Sequence, residues 1–208
     1  MKTLAVGGCS SGVGKTTLVC RLLETLPGWG ALKISPVRPH ACSEGPACPD
    51  CHGMKGAFQI VADPVELLRE GSDTFLFHQA GAARLAWLLC LEDHLERGIP
   101  AAAAAFLDLP GLVVEGNSFA RHAAPEKLVM VARAGLCEVK GGVPDLLASA
   151  DWVVLNRPLG TAPEQVRGEV RRLVERHRVL RVVDLDAASS SDPATADFLC
   201  EVRAWARR

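Results

Sequence analysis

Residues 8 to 17 form a glycine-rich segment whose residue types suit phosphate binding. The segment is Gly-Cys-Ser-Ser-Gly-Val-Gly-Lys-Thr-Thr, which matches the Walker A pattern except that Cys9 stands in place of its first glycine. Glycines let the backbone curl so that successive N–H groups point at phosphate oxygens, and the following helix adds its dipole. The sequence therefore predicts a loop that binds a nucleoside triphosphate. The residues predicted to contact it are Ser10, Ser11, Gly12, Val13, Gly14, Lys15, Thr16 and Thr17.

Three side chains have predicted roles in the chemistry of the bound phosphates. Lys15 would pair with the β and γ phosphates, and Thr16 would give its hydroxyl to Mg²⁺. Such chemistry also needs a carboxylate near the metal, at the carboxyl end of a buried strand, and Glu115 directly follows the apolar residues 112–114. We predict Lys15 and Glu115 as catalytic residues and Thr16 and Glu115 as magnesium ligands.

Asn156 is the candidate for recognition of the nucleotide base. It ends a second apolar strand, residues 152–155, and its amide would both donate to and accept from a purine edge. An asparagine after a strand is equally typical of a turn. The Asn-Lys-x-Asp motif of many GTPases is absent from the sequence. Both interpretations of Asn156 and both bases, guanine and adenine, remain open.

A cluster of cysteine and histidine residues lies between positions 36 and 56. Cys42, Cys48, Cys51 and His52 fall within eleven residues, with His40 nearby, a spacing that would wrap a tetrahedral Zn²⁺. Exposed or reactive cysteines, and the c-type haem attachment that residues 48–52 also match, are the alternatives. The cysteines in apolar stretches are expected to be packed thiols. These are Cys20, Cys90, Cys137 and Cys200.

Short apolar segments alternate with helical patterns along the chain. This alternation predicts an α/β fold with three layers, in which helices cover both faces of a mostly parallel sheet. Helices are predicted over 18–26 and 99–108, from the capping box at 161–164, and from Asp192-Pro193. The predicted strands are 4–6, 31–35, 58–62, 83–91, 112–115, 128–132, 152–155 and 179–185.

Length and composition place bounds on the class of protein. The 208 residues are 49% hydrophobic, so we expect one domain over residues 1–208, with the Cys/His-rich loop as an insertion at about 36–56. A net charge of −1 lacks the electrostatic footprint of a nucleic-acid binder. No apolar run approaches the ~18 residues that a membrane span needs. The start of the chain leaves no room for a signal peptide, and we expect a cytoplasmic protein.

With these motifs in hand, the chain resembles the SIMIBI class of P-loop proteins, which contains dethiobiotin synthetase, the MinD-like ATPases and the metal-centre GTPases. Within it, the chain is most similar to the family of molybdopterin-guanine dinucleotide biosynthesis protein B (MobB), as a divergent member. Order and spacing agree over about the first 120 residues. The matching segments are 8–17, 32–34, 71–74 with His78, 80–82, and 114–116.

The resemblance implies a function and a partner. It implies GTP binding, at most weak GTP hydrolysis, and assistance to the nucleotidyltransferase that attaches a guanine nucleotide to molybdopterin; a homodimer is also expected. Two alternatives stay open. One is an ATP-dependent enzyme like dethiobiotin synthetase, with a small carboxylate or amine substrate near Lys33 and Glu115. The other is a metallochaperone GTPase like those of hydrogenase or urease maturation.

Overall fold

Within the described residues, eight strands form one sheet. The computed structural model describes residues 1–38, 54, 56–134, 142–157, 168, 172, 175, 182–185 and 192–208. The strand order is β3-β4-β2-β5-β1-β6-β7-β8, and every neighbouring pair is parallel except β3 with β4. The strands are β1 Lys2–Gly8, β2 Gly30–Val37, β3 Phe58–Val61, β4 Leu85–Leu91, β5 Gly111–Glu115, β6 Lys127–Arg133, β7 Trp152–Asn156 and β8 Val182–Leu185.

Helices cover both faces of this sheet. The α-helices whose bounds lie within the described residues are α1 Lys15–Thr25, α2 Pro64–Leu67, α3 Asp73–Gln79, α4 Leu95–Ala103, α5 Asn117–His122, α6 Val143–Ser149 and α7 Pro193–Ala206. Buried side chains of α4, α5 and α6 pack on one face, and those of α1, α3 and α7 pack on the other. The prediction of an α/β fold with a mostly parallel sheet between two helical layers is confirmed.

The predicted start of the helix at 99–108 is wrong. Helix α4 begins at Leu95, so Pro100 lies inside it, and it ends at Ala103, where a 3₁₀ turn over 104–106 follows. A proline in a helix removes one backbone hydrogen bond. Leu95 and Ile99 are almost fully buried against the sheet, and this apolar contact outweighs the local preference of Pro100 for a helix start.

Strand β2 is longer than predicted and includes the first two residues of the expected loop. Pro36 and Val37 continue the strand beside β4, whereas β5 pairs with β2 only as far as Lys33. The strand therefore has β4 alone as its hydrogen-bonding neighbour at Pro36, and a missing N–H is tolerated there.

Several predictions concern residues beyond those described. The helix predicted from 161–164 is described only at 168, 172 and 175, all helical, and the final predicted strand is confirmed over 182–185. Most of the Cys/His-rich loop lies outside the described residues. The single-domain assignment stays a prediction.

The packed thiols are confirmed only in part. Cys90 is buried, Cys20 is half-buried and Cys137 lies outside the described residues. Cys200 is exposed, so its prediction is wrong. Helix α7 buries Phe198 and Val202, which are four residues apart on one face, and Cys200 lies between them on the opposite face.

Across the part of the chain that is described, no helix combines the length and the apolar composition that a membrane crossing requires.

Candidate functional site

The predicted phosphate loop connects the central strand to the first helix. Strand β1 ends at Gly8 and α1 begins at Lys15, at the edge of the sheet where the parallel strands have their carboxyl ends. Ligands of open α/β sheets bind at this edge. Gly12 and Gly14 have φ angles of 69° and 99°, a region that other residues rarely adopt. The glycines of the motif therefore give the loop its shape.

The side chain of Lys15 folds back over the start of the loop. A Cβ atom added at Gly8 would lie 2.9 Å from Cδ of Lys15 and 2.8 Å from Cγ2 of Val13, so only glycine fits there. Cys9, which replaces the first glycine of the motif, is buried, and its backbone N–H donates to the Val131 carbonyl at 2.9 Å. Burial raises the pKa of the Cys9 thiol to about 11, although Lys15 opposes this, so the thiol is neutral at pH 7.

Asn117 holds the entrance of the loop. This residue begins α5, directly after Glu115 and Gly116, and its side-chain Oδ1 accepts from the Gly8 N–H at 2.7 Å. Its Nδ2 donates to the Gly8 carbonyl at 3.0 Å. One amide therefore satisfies both backbone groups of Gly8. A Cβ at Gly7 would lie 2.5 Å from Sδ of Met130 and 2.9 Å from Oδ1 of Asn117, so these two side chains leave room only for glycine there.

Asn156 holds the exit of the loop. It ends β7, and its Nδ2 donates to the Val13 carbonyl at 2.9 Å. A Cβ at Gly14 would lie 2.3 Å from the same nitrogen, so the amide covers the loop at Gly14. We call these contacts, Asn117 with Gly8 and Asn156 with Val13, the asparagine brackets. The role of Asn156 in base recognition stays a prediction.

Below the loop, Thr16 lies in a cluster of ionised side chains. Its hydroxyl is 2.9 Å from Oδ1 of Asp73 and 3.3 Å from Oε2 of Glu115. The Lys33 ammonium, from β2, donates to Oε1 of Glu115 at 2.8 Å and also to Oδ2 of Asp73. We call Thr16, Lys33, Asp73 and Glu115 the ionic cluster. Its two carboxylates and one ammonium have a net charge of −1.

Comparison with known proteins gives distant likenesses among solved structures. No protein-family model and no curated protein matches the chain. Among solved structures, MinD cell division protein of Aquifex aeolicus shares 18% identity, with a TM-score of 0.48, over 97% of this chain and 86% of that one. The MinC:MinD cell division protein complex of the same organism gives 15% identity, the same TM-score and the same coverage.

A nucleotide-binding protein of Archaeoglobus fulgidus, in complex with ADP, gives 14% identity and a TM-score of 0.41, over 99% of this chain and 86% of that one. At these identities the likeness concerns the fold alone. The α/β fold itself is visible in the order of the strands and helices of this chain. In this chain it brings Ser10 to Thr17, Glu115 and Asn156 to one edge of the sheet, where the prediction expects them.

The charges of the ionic cluster support one another. Glu115 is 2% exposed, and an isolated carboxylate at such a depth would be costly. Burial alone would lower the pKa of Lys33, but the carboxylates of Glu115 and Asp73 outweigh it and raise that pKa. Burial likewise opposes ionisation of Asp73, but the bonds from Lys33 and Thr16 lower its pKa. Lys33 and Asp73 are therefore both ionised at neutral pH.

Asp73 and Asn117 were absent from the predicted site residues. Asp73 begins α3, and Ser72 caps that helix by accepting from the Phe75 N–H at 3.1 Å. The sequence carried a signal for Asp73, because the segment 71–74 belongs to the resemblance described above. The signal for Asn117 is weaker. It is only that a polar residue stands two positions after Glu115, the carboxylate that ends β5.

The predicted zinc site is not tested. Cys42, Cys48, Cys51 and His52 lie outside the described residues, as does His40. Within the described ranges, no group of three or more histidine, cysteine, aspartate or glutamate side chains could hold a metal ion. The ionic cluster offers a hydroxyl and two carboxylates instead. Oxygen donors of this kind suit Mg²⁺, which keeps several of its waters when it binds protein.

Proposed function

We propose that the chain binds Mg²⁺ and a nucleoside triphosphate at the phosphate loop. The observation that carries this proposal is the position of the Thr16 hydroxyl, within 3.3 Å of both Asp73 and Glu115 at the first turn of α1. Glu115 ends a strand and Asp73 begins a helix, and both carboxylates face the Thr16 hydroxyl. P-loop proteins hold a metal ion beside the phosphates with such a hydroxyl and nearby carboxylates.

Each residue of the site has a role in this proposal. The backbone N–H groups of residues 10–17 and the ammonium of Lys15 hold the phosphates. Thr16, Glu115 and Asp73 hold Mg²⁺, and the oxygen donor set fits this ion. Bound Mg²⁺ neutralises charge on the β and γ phosphates. The asparagine brackets fix the loop backbone, and Asn156 is also proposed to contact the nucleotide base.

We further propose that GTP is the nucleotide and that its hydrolysis is slow. In this proposal Mg²⁺, together with Lys33 and Thr16, engages both carboxylates of the ionic cluster, so neither would act as a general base for an attacking water. Slow turnover suits an accessory protein. The resemblance of segments 71–82 and 114–116 supports a role in molybdopterin guanine dinucleotide biosynthesis, with a nucleotidyltransferase as partner and a homodimer as the assembly.

An ATP-dependent enzyme of the dethiobiotin-synthetase type is the second candidate. A pocket that Lys33 lines favours this second candidate. The metallochaperone alternative depends on Cys42, Cys48, Cys51 and His52, and metal analysis of the purified protein tests it.

Titration with fluorescent GTP and ATP analogues, with and without Mg²⁺, tests the proposal. We expect saturable, Mg²⁺-dependent binding with a preference for GTP, and binding at least tenfold weaker in Lys15→Ala. Lys2→Ala is the matched control, because Lys2 begins strand β1, which leads into the phosphate loop, at the opposite edge of the sheet. A preference for ATP would favour the second candidate. Absence of binding to either nucleotide would overturn nucleotide binding altogether.

A further inference from the structure

A pocket of about 290 Å³ opens beside the ionic cluster. It lies on the face of the sheet that carries α1 and α3, between strands β2 and β4 and the segment that joins α2 to α3. Its volume is at the small end of the range for ligand pockets, ~300–1,000 Å³. The lining residues are Lys33, Ser35, Glu66, Arg69, Gly71, Ser72, Asp73, Thr74 and Trp87.

Hydrogen bonds fix the walls of this pocket. The indole Nε1 of Trp87 donates to Oγ of Ser35 at 2.9 Å, which holds the aromatic ring as one wall. On the other side, the buried Thr74 hydroxyl donates to the Leu67 carbonyl at 2.6 Å and lies 3.1 Å from Oγ of Ser72. These bonds hold the side chains of Trp87, Ser72 and Thr74 in place around the pocket.

The two cations of the pocket differ in their pairing. Lys33 is held by Asp73 and Glu115 in the ionic cluster. The exposed guanidinium of Arg69 has no ion pair with any residue that the structure describes, although Glu66 lines the same pocket three positions earlier. A guanidinium at the mouth of an aromatic-walled pocket matches a planar or tetrahedral oxyanion.

We infer that this pocket binds a small organic anion, with an aromatic or apolar body against Trp87 and its carboxylate or phosphate group at Arg69 and Lys33. The size of the pocket restricts the ligand to about one ring. The inference rests on the proposed function, because Lys33 and Asp73 belong both to the pocket and to the ionic cluster. It identifies a second ligand, next to the nucleotide, as acceptor or effector.

Magnesium and the anion should help each other to bind. Mg²⁺ at Asp73 and Glu115 would add two positive charges next to the pocket and loosen the hold of both carboxylates on Lys33. The pocket would then attract an anion more strongly, and by linkage the anion would tighten Mg²⁺–nucleotide binding by the same factor. We expect a factor of about five or more, the lower end of typical coupling between sites.

The test uses the full chain saturated with Mg²⁺ and a non-hydrolysable GTP analogue, so that the phosphate loop itself is occupied. Benzoate, phenyl phosphate and the uncharged benzyl alcohol are titrated while tryptophan emission is recorded. We expect saturable quenching by at least one anion, at least tenfold weaker binding of benzyl alcohol, and loss of the signal in Trp87→Phe. The preferred anion shows whether the group is a carboxylate or a phosphate.

Two arginine variants sharpen this test. Arg69→Gln should weaken anion binding about tenfold and leave nucleotide binding unchanged. Arg97→Gln is the matched control, an exposed arginine on α4, which packs on the opposite face of the sheet. If nucleotide binds but neither anion does, or if benzyl alcohol binds equally well, the pocket inference is overturned and the proposed function stands. If the nucleotide also fails to bind, both are overturned.

Discussion

The phosphate loop is supported from two sides by groups of different character. On one side, the ionic cluster holds Thr16 with charged side chains, of which Glu115 is 2% exposed. On the other, the asparagine brackets hold Gly8 and Val13 through neutral amides. Charge–charge contacts change with pH and with bound metal, whereas amide contacts do not.

This difference separates the shape of the loop from its chemistry. The brackets fix the backbone that would bind phosphate, and they do so without any group that titrates near neutral pH. If Mg²⁺ binds as proposed, it would replace Lys33 as the partner of the carboxylates while the loop keeps its conformation. Variants on the two sides should therefore respond differently to metal and to acid.

The largest effect is expected for Lys33→Met. The substitution leaves Asp73 and the buried Glu115 without their ammonium partner, and breaking a buried ion pair in this way costs about 3–5 kcal/mol in the free energy of unfolding. Urea denaturation without Mg²⁺ measures it. Millimolar Mg²⁺ should recover part of the loss in this variant, because the ion would supply the missing positive charge.

Arg21→Gln is the control for that experiment. Arg21 pairs with Glu24 at 3.0 Å on the exposed side of α1, and an ion pair three residues apart on a helix contributes a few tenths of a kcal/mol. Equal destabilisation by the two substitutions, or no response of Lys33→Met to Mg²⁺, would contradict the account of the ionic cluster.

The next largest effect is expected for Gly14→Ala. Alanine at a φ of 99° costs roughly 1–2 kcal/mol, and its Cβ would also overlap Nδ2 of Asn156, at a further cost of about 1–3 kcal/mol. Gly12→Ala is the matched control: its φ is 69°, but the described structure has no heavy atom within 4 Å of the added Cβ. Thermal denaturation should show the smaller loss for Gly12→Ala.

The double variant Gly14→Ala with Asn156→Ala isolates the contact with the bracket. Removal of the amide relieves the overlap but leaves the backbone strain, so the two substitutions together should cost less than the sum of their separate effects. Strict additivity would show that Asn156 does not press on Gly14.

Asn117→Ala should have an intermediate effect. It leaves the N–H and C=O of Gly8 without partners, which costs about 1–3 kcal/mol. Nucleotide affinity should fall in parallel, because the entrance of the loop is no longer fixed. Asn117→Asp keeps the acceptor for the N–H and loses the donor for the carbonyl, so about half of the loss is expected. Unlike Lys33→Met, neither variant should recover stability when Mg²⁺ is added.

The sequence predicted the strands and the loop better than it predicted their surroundings. Buried parallel strands are continuous apolar runs, and the glycine spacing of residues 8–17 is a local pattern, so both are visible in one dimension. Asp73 meets Thr16 across 57 residues, and Asn117 meets Gly8 across 109. Such contacts depend on which strands become neighbours, and local residue patterns do not encode that order. The start of α4 was missed because burial of Leu95 and Ile99 overrides the preference of Pro100.

The smallest effect is expected in acid, where the free energy of unfolding should depend on the ionic cluster but not on the asparagine brackets. In the folded state, Lys33 and Thr16 lower the pKa of Asp73 from its unfolded value of about 3.9. The contribution of Asp73 to stability is therefore present above pH ~3.9 and is lost as the pH falls through the folded pKa. Asp73 is 37% exposed, and solvent screening keeps the contribution small. Urea denaturation from pH 6 to pH 2.5 should therefore show a shallower acid loss for Asp73→Asn than for the wild type. Asn117→Ala and the exposed Asp93→Asn should retain the wild-type slope; a changed slope in Asn117→Ala would mean that the brackets and the ionic cluster are coupled after all.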